Sequence, residues 1–161
     1  MTTSAGLLLH RRSASGDVEV LIGHMGGPFW ARKDQGAWTI PKGEHDENED
    51  PLVAARREFT EELGLPAPDG PTRSLGSIRQ SGGKVVTVFA VDADLDVSAA
   101  VPGTFVLEWP PRSGVLREFP ELDRVAWTPL DLARTLLVGA QVTFLDRLTS
   151  SLPTIKESGV P

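Results

Sequence analysis

One amphipathic helix between residues 50 and 64 constrains this chain more than any other segment. Asp50 is a favourable N-cap, Pro51 suits the first helical position, and Gly64 is placed to end the helix. At about 100° per residue, an apolar stripe follows one side of the helix and consists of Leu52, Ala55, Phe59 and Leu63. The stripe predicts that this side packs on a sheet while the other side stays open to a cleft.

The open side of the helix carries three glutamates, Glu58, Glu61 and Glu62, at positions i, i+3 and i+4. Side chains at this spacing share one face, so their carboxylates lie close together and repel one another. A cation among them relieves this repulsion, and hard oxygen donors suit Mg²⁺ or Mn²⁺. The spacing therefore predicts a magnesium site, with manganese as an alternative ion.

The composition is that of an ordinary globular protein and argues against several functional classes. The 161 residues suit one domain, which we expect to span residues 1–152, with residues 153–161 as a loose tail. The net charge of −6 argues against nucleic acid as a partner, and the absence of cysteine excludes thiol catalysis. Without a targeting or membrane-spanning segment, we expect a cytoplasmic protein with no membrane partner. No pattern in the sequence fixes an oligomeric state.

Short apolar and alternating segments predict strands around the helix. The predicted strands cover residues 4–11, 18–24, 38–40, 73–80, 84–91, 105–109 and 125–128. Two further helices are predicted over residues 129–137 and 142–152. Residues 81–84 read Ser-Gly-Gly-Lys, which lacks the spacing of a phosphate loop and predicts a turn. Together these elements predict an α+β fold with a mixed central sheet between helical layers.

The helix is part of a longer pattern that resembles a known family. From Gly43 the chain has five residues, Glu49, seven residues, and then Arg57-Glu58-Phe59-Thr60-Glu61-Glu62-Leu63-Gly64-Leu65. This segment is similar to the Nudix box, G-x5-E-x7-R-E-U-x-E-E-x-G-U, in which U is a bulky apolar residue. Every specified position matches. The resemblance implies the Nudix fold, an α/β/α sandwich.

The resemblance also implies hydrolysis of a phosphoanhydride bond in a nucleoside diphosphate linked to another group. In that reaction a divalent cation bridges phosphate oxygens and lowers the pKa of the attacking water. Carried over by position, the implied metal site consists of Glu58, Glu61, Glu62 and Gly43. Glu58 is also a candidate base, Arg57 and Glu49 are orienting partners, and Gly43 lies in a loop that closes over the site.

Three more positions outside the box are candidates for the site. Many family members use one more carboxylate, in a loop before a strand that carries a tryptophan. Glu121 lies six residues before Trp127 and is the first candidate for this role, with Glu108 and Glu118 as alternatives. Lys42 ends the segment Trp-Thr-Ile-Pro-Lys, which with Gly43 is similar to the W-x-x-P-K-G segment of diadenosine-polyphosphate hydrolases, so we expect it to contact a substrate phosphate.

Trp30 lies in a polar loop that contains glycine and proline, together with Phe29. A large ring in such a loop could stack on a purine base, which makes Trp30 a candidate for substrate binding. The alternative interpretation is that the ring packs on the core.

The resemblance leaves the substrate open. The W-x-x-P-K-G segment favours dinucleoside polyphosphates, but that subgroup often carries a tyrosine after the box, and this chain has none. ADP-ribose hydrolases often carry a proline where this chain has Ser81. Nucleoside triphosphates, including oxidised ones, are further candidates. The alternative function is a catalytically silent nucleotide-binding or regulatory module, which usually shows a degraded box, whereas here every carboxylate is present.

Overall fold

A computed structural model describes residues 3–152, which form nine strands and three α-helices. The strands are β1 (Thr3–Arg12), β2 (Val18–Met25), β3 (Trp38–Thr39), β4 (Lys42–His45), β5 (Thr72–Arg79), β6 (Val85–Asp92), β7 (Thr104–Glu108), β8 (Leu116–Pro120) and β9 (Leu122–Pro129). The helices are α1 (Pro51–Leu63), α2 (Leu130–Leu136) and α3 (Val142–Ser151). None of these helices has the length and apolar character that crossing a membrane requires. The predicted tail, residues 153–161, lies outside the described residues.

Seven of the strands form one mixed sheet in the order β3-β2-β1-β6-β5, with β4 paired to β1 and β9 paired to β2. Strands β1 and β6 are parallel, whereas the other pairs are antiparallel. One edge of β1 pairs first with β4 and then with β2, while β6 follows the other edge. The beginning of β1 is therefore the place where β4 and β6 come together. Strands β7 and β8 form a separate two-stranded sheet.

Helices cover both faces of the large sheet, which confirms the predicted α/β/α sandwich. Successive side chains of a strand point to opposite faces. Accordingly, Leu7 and Leu9 of β1 pack with Phe59 of α1, whereas Leu8 belongs to the cluster that contains Phe144 of α3. Three residues of the predicted apolar stripe on α1 are fully buried, and the first is partly buried. The stripe therefore fixes which side of α1 meets the sheet.

One prediction about the path of the chain is wrong, and one strand was not predicted. Gly43 does not lie in a loop, because it belongs to β4 and pairs with Ala5. The β4 segment Lys-Gly-Glu-His has little intrinsic preference for a strand, so its pairing with β1 determines its conformation. The segment Leu116–Pro120 forms β8, although no strand was predicted there. It pairs with β7 and is mostly exposed, so it lacks the one-sided burial that produces a sequence pattern.

Candidate active site

One cavity opens at the end of the sheet where β1 begins, beside α1. Its volume is about 450 Å³, and charged side chains form much of its wall. The lining residues are Ser4, Lys42, Gly43, Glu44, Glu58, Glu61, Glu62, Lys84, Gly103, Thr104 and Glu121. The three glutamates predicted from the helix therefore share one cavity with Lys42 and Glu121.

The caps of α1 place its glutamates at this cavity. The Asp50 side chain accepts hydrogen bonds from the backbone N–H groups of Leu52 at 2.8 Å and Val53 at 3.2 Å, as an N-cap does. Gly64 ends the helix with a φ of 68°, a conformation that glycine adopts without strain. Both caps confirm the prediction. Between them, the Glu58 side chain is 13% exposed and that of Glu61 is 58% exposed.

Arg57 binds three carboxylates at once. Its Nε and Nη2 donate to the two oxygens of Glu49 at 2.9 and 2.8 Å. Its Nη1 donates to Glu58 at 2.9 Å and to Glu61 at 3.3 Å. The hydrogen bond to Glu61 is thus longer than those to Glu49 and Glu58. The paired hydrogen bonds from Arg57 also lower the pKa of Glu49.

Strand β4 approaches α1 so closely that position 43 requires glycine. A Cβ atom built on Gly43 would overlap the carboxylate of Glu58. Any larger residue would therefore displace either the strand or that carboxylate. Gly43 acts on the site through this close approach, rather than through the flexibility of a loop.

Burial raises the pKa of two helix glutamates. The pKa of Glu62 rises to about 8, chiefly because the carboxyl is buried and then because Glu121 is near. Burial is also the largest cause of the raised pKa of Glu58, and its hydrogen bond from Arg57 opposes this effect. Both carboxyls are therefore in surroundings that disfavour their negative charge.

The chemistry of these residues fits a divalent cation, although their side chains do not surround one point as metal ligands would. Within residues 3–152, no three acidic or imidazole side chains are placed to hold a metal ion as they stand. Arg57 binds both Glu58 and Glu61, so its guanidinium compensates part of their charge. Burial and then the nearby Glu121 raise the pKa of Glu62, and Lys42 offsets this effect only in part. Carboxylate oxygens around such a cavity suit Mg²⁺.

The turn before β9 brings Glu121 to the cavity. The backbone N–H of Glu121 donates to the carbonyl of Gly103 at 2.7 Å, which fixes the chain at this point. Glu108 instead accepts a hydrogen bond from the N–H of Gly114 at 2.8 Å, within the β7–β8 hairpin. Glu118 lies on β8, and neither alternative lines the cavity. The position of Glu121 thus agrees with the first of the three candidates.

The cavity also contains Lys84, which was not predicted as a site residue. The predicted turn is present at Ser81–Gly83, and Lys84 follows it immediately before β6. The pKa of Lys42 is lowered, chiefly because the side chain is buried and then because Lys84 is near. The negative charge of Glu62 opposes this lowering. The parallel pairing of β6 with β1 carries Lys84 to the site. No local signal in residues 81–84 indicates this pairing.

The buried amide of Gln141 connects, through hydrogen bonds, the segments that carry Lys42 and Lys84. Gln141 is 1% exposed, and its Oε1 accepts a hydrogen bond from the N–H of Ile40, just before Lys42, at 2.9 Å. Its Nε2 donates to Gln80 Oε1 at 3.2 Å. The N–H of Gln80 in turn donates to the carbonyl of Lys84 at 2.7 Å, which closes the turn. Gln141 therefore fixes the spacing between these two segments.

Trp30 does not line the cavity. Its ring is partly buried against the core cluster on the α3 side of the sheet, and Lys33 Nζ lies 5.5 Å from the ring centroid. This placement agrees with the alternative of core packing, and stacking of Trp30 on a base stays a prediction. The neighbouring Phe29 is 59% exposed and meets Trp109 edge-on, with a centroid distance of 5.3 Å.

A glutamate-bearing helix against the end of a mixed sheet, with helical layers on both faces, is the arrangement of a class of hydrolases that cleave acid anhydrides in phosphorus-containing compounds. The chain matches the NUDIX domain over residues 2–148. The protein therefore belongs to the Nudix family and is a Nudix-type pyrophosphohydrolase. The family generally uses divalent metal cations and acts on small nucleotide substrates.

Several solved structures share the fold of this chain. A C. elegans Ap4A hydrolase in a binary complex is 21% identical, with a TM-score of 0.62 over 93% of this chain and 96% of the other. The Nudix hydrolase RenU from M. smegmatis is 23% identical, with a TM-score of 0.58 over 95% and 88%. The NUDIX domain of Shewanella oneidensis NrtR complexed with ADP ribose is 16% identical, with a TM-score of 0.65 over 94% and 88%. At these identities the likeness shows the fold alone. No curated protein matches the chain in sequence.

Proposed function

We propose that this protein hydrolyses a phosphoanhydride bond in a nucleoside diphosphate linked to another group and depends on Mg²⁺, with Mn²⁺ as an alternative. Dinucleoside polyphosphates and nucleoside triphosphates, including oxidised ones, are the proposed substrates. The observation that carries the proposal is one cavity that combines a cluster of glutamates with two lysines. Carboxylates suit the cation and ammonium groups suit phosphate oxygens, so both parts of a metal–nucleotide complex have partners there.

Each charged group in the cavity has a proposed role. The proposed metal ligands are Glu58, Glu61 and Glu62, with Glu121 as the additional carboxylate and Gly43 as the position that admits the Glu58 side chain. When bound, the divalent cation supplies charge neutralisation at the phosphate oxygens and acidifies a water molecule. Glu58 is the proposed base, because burial raises its pKa and makes it a better proton acceptor. Arg57, held by both oxygens of Glu49, keeps the Glu58 carboxylate in one orientation.

The two lysines favour a substrate with a long phosphate chain. Lys42 and Lys84 line the same cavity, and their mutual repulsion contributes to the lowered pKa of Lys42. An anionic chain between them relieves that repulsion. A sugar diphosphate such as ADP-ribose offers a shorter chain than a dinucleoside polyphosphate or a triphosphate. Of the similar structures, the one whose name specifies Ap4A hydrolysis therefore agrees better with this cavity than the one complexed with ADP ribose.

A substrate panel with product identification tests the proposal. Purified protein with Mg²⁺ is incubated with diadenosine tetraphosphate, normal and oxidised nucleoside triphosphates, and ADP-ribose, and the products are separated by chromatography. We expect turnover that EDTA abolishes, with the longest phosphate chains giving the highest kcat/KM. Glu62→Gln and Glu121→Gln should lower kcat by roughly 10²-fold, on the scale of other electrostatic losses in catalysis. Nucleotide binding without turnover of any substrate would instead support the catalytically silent module.

The proposal also covers the residues that are needed for activity and the cellular compartment in which the protein works. We propose that residues 1–152 suffice for activity, and that the protein works in the cytoplasm without a nucleic-acid or membrane partner. A chain that ends after Leu152 should retain the kcat/KM of the full chain. Loss of activity in that chain would assign a function to residues 153–161. Subcellular fractionation tests the location.

A further inference from the structure

The wall of the cavity includes a serine whose hydroxyl is buried. Ser4 is 1% exposed, and its Oγ has no hydrogen-bond partner among residues 3–152. Withdrawing a hydroxyl from water without a replacement hydrogen bond costs free energy, and most buried polar groups in proteins are paired. Ser4 nevertheless lines the charged cavity. A ligand in the cavity is therefore a candidate partner for this hydroxyl.

The register of the sheet places Ser4 between the two lysines. Ser4 pairs with Glu44 of β4 on one side and with Val86 of β6 on the other. Lys42 and Lys84 each precede these partners by two residues. Because side chains alternate along a strand, residues two apart share a face, and paired residues also share a face. The Ser4 hydroxyl and both ammonium groups thus approach the cavity from one face of the sheet.

We propose that the Ser4 hydroxyl donates a hydrogen bond to a non-bridging oxygen of the phosphate chain that Lys42 and Lys84 bind. The inference rests on the proposed function, because a nucleotide must enter the cavity. Ammonium groups on long, flexible side chains supply charge with little directionality. A short serine side chain on a central strand instead presents its donor at a fixed position. Ser4 would therefore fix the register of the phosphate chain relative to the glutamates.

A binding measurement with Ser4→Ala tests this proposal without relying on turnover. The probe is a nucleoside triphosphate analogue with methylene groups in place of both anhydride oxygens, titrated calorimetrically in the presence of Mg²⁺. Ser4→Ala should raise its Kd by roughly 10- to 100-fold, the range for a hydrogen bond to a charged group. The free energy of unfolding without ligand should not decrease, because no hydrogen bond within residues 3–152 is lost. Ser4→Thr keeps the hydroxyl and should restore most of the affinity.

Thr128→Val is the matched control, because Thr128 is also buried, at 3% exposed, but its Oγ1 donates to the carbonyl of Ala126 at 3.1 Å. This variant should unfold more easily and bind the analogue with unchanged Kd. Equal Kd values for wild type and Ser4→Ala would overturn the role of Ser4. A wild-type protein that binds no analogue would overturn the proposed function itself, together with this subsite.

Discussion

Neutralising Glu62 should stabilise the protein without metal and destabilise it with metal. The pKa of this carboxyl rises from 4.5 to about 8, chiefly because it is buried and then because Glu121 is near. A carboxyl whose pKa is raised by folding contributes stability below its unfolded pKa, and that contribution disappears as pH rises through its folded pKa. In EDTA the wild-type protein should therefore lose stability between about pH 5 and about pH 9.

The size of this effect follows from the same pKa difference. At about 1.4 kcal/mol per pK unit, the difference sets an upper bound of roughly 5 kcal/mol on the cost of ionising Glu62. Water entry and movement of neighbouring side chains relieve part of this cost, so we expect about 2 kcal/mol. Glu62→Gln carries no such charge. In EDTA it should match the wild type near pH 5 and exceed its free energy of unfolding by about 2 kcal/mol near pH 9.

Urea denaturation measures both parts of this prediction. Curves at the two pH values in EDTA give the pH dependence, and curves in excess Mg²⁺ give the stabilisation by bound metal. With Mg²⁺ the order should reverse, because the wild type binds the ion more tightly than Glu62→Gln does. Glu47→Gln is the control, because it removes an exposed carboxylate and should follow the wild type throughout. Parallel pH profiles for wild type and Glu62→Gln in EDTA would show that the charge of Glu62 is not opposed by its surroundings.

Two further substitutions test the geometry of the site. Gly43→Ala places a methyl group against the Glu58 carboxylate and should lower kcat/KM by roughly 10²-fold, whereas Gly139→Ala, which meets no atom within 4 Å, should keep wild-type kinetics. Equal kinetics for the two alanine variants would contradict the close approach of β4 and α1. Arg57→Lys keeps the charge but loses the paired hydrogen bonds to Glu49, and steady-state kinetics should show a loss of roughly 10-fold or more with an unchanged circular dichroism spectrum. A lysine variant with full activity would mean that charge alone suffices at this position.

The helix α1 could be predicted closely because its signals are local. The N-cap, the first-turn proline, the glycine at the end and the spacing of the glutamates all lie within one short segment. Each of these signals acts on residues only a few positions away, so the local sequence is enough to predict the geometry of the helix. From sequence alone, Glu121 has Glu108 and Glu118 as alternatives, because the position of the additional carboxylate depends on how distant segments fold together.

The residues on the other side of the cavity could not be predicted in this way. Ser4 and Lys84 line the same cavity because β1 and β6 pair in parallel, and four strands and α1 separate these two strands along the chain. Neither residue stands in a local pattern, and the pairing of distant strands depends on the packing of both faces of the sheet. Trp30 illustrates the opposite case, in which a local signal, a large ring in a polar loop, is compatible both with stacking on a base and with packing on the core.

The site consists of two parts that are stabilised separately, and Gln141 stabilises only one of them. The helix that carries the glutamates has its own caps, whereas the lysine segments depend on an amide that immediately precedes α3. A local opening around Gln141 and α3 would therefore loosen the proposed contacts of the lysines with a phosphate chain while the carboxylates keep their arrangement. Substitutions in α3, remote from any nucleotide, could then change substrate affinity by altering how often the binding-competent arrangement is populated. The proposed affinity for a phosphate chain and the arrangement of the carboxylates can in this sense change independently.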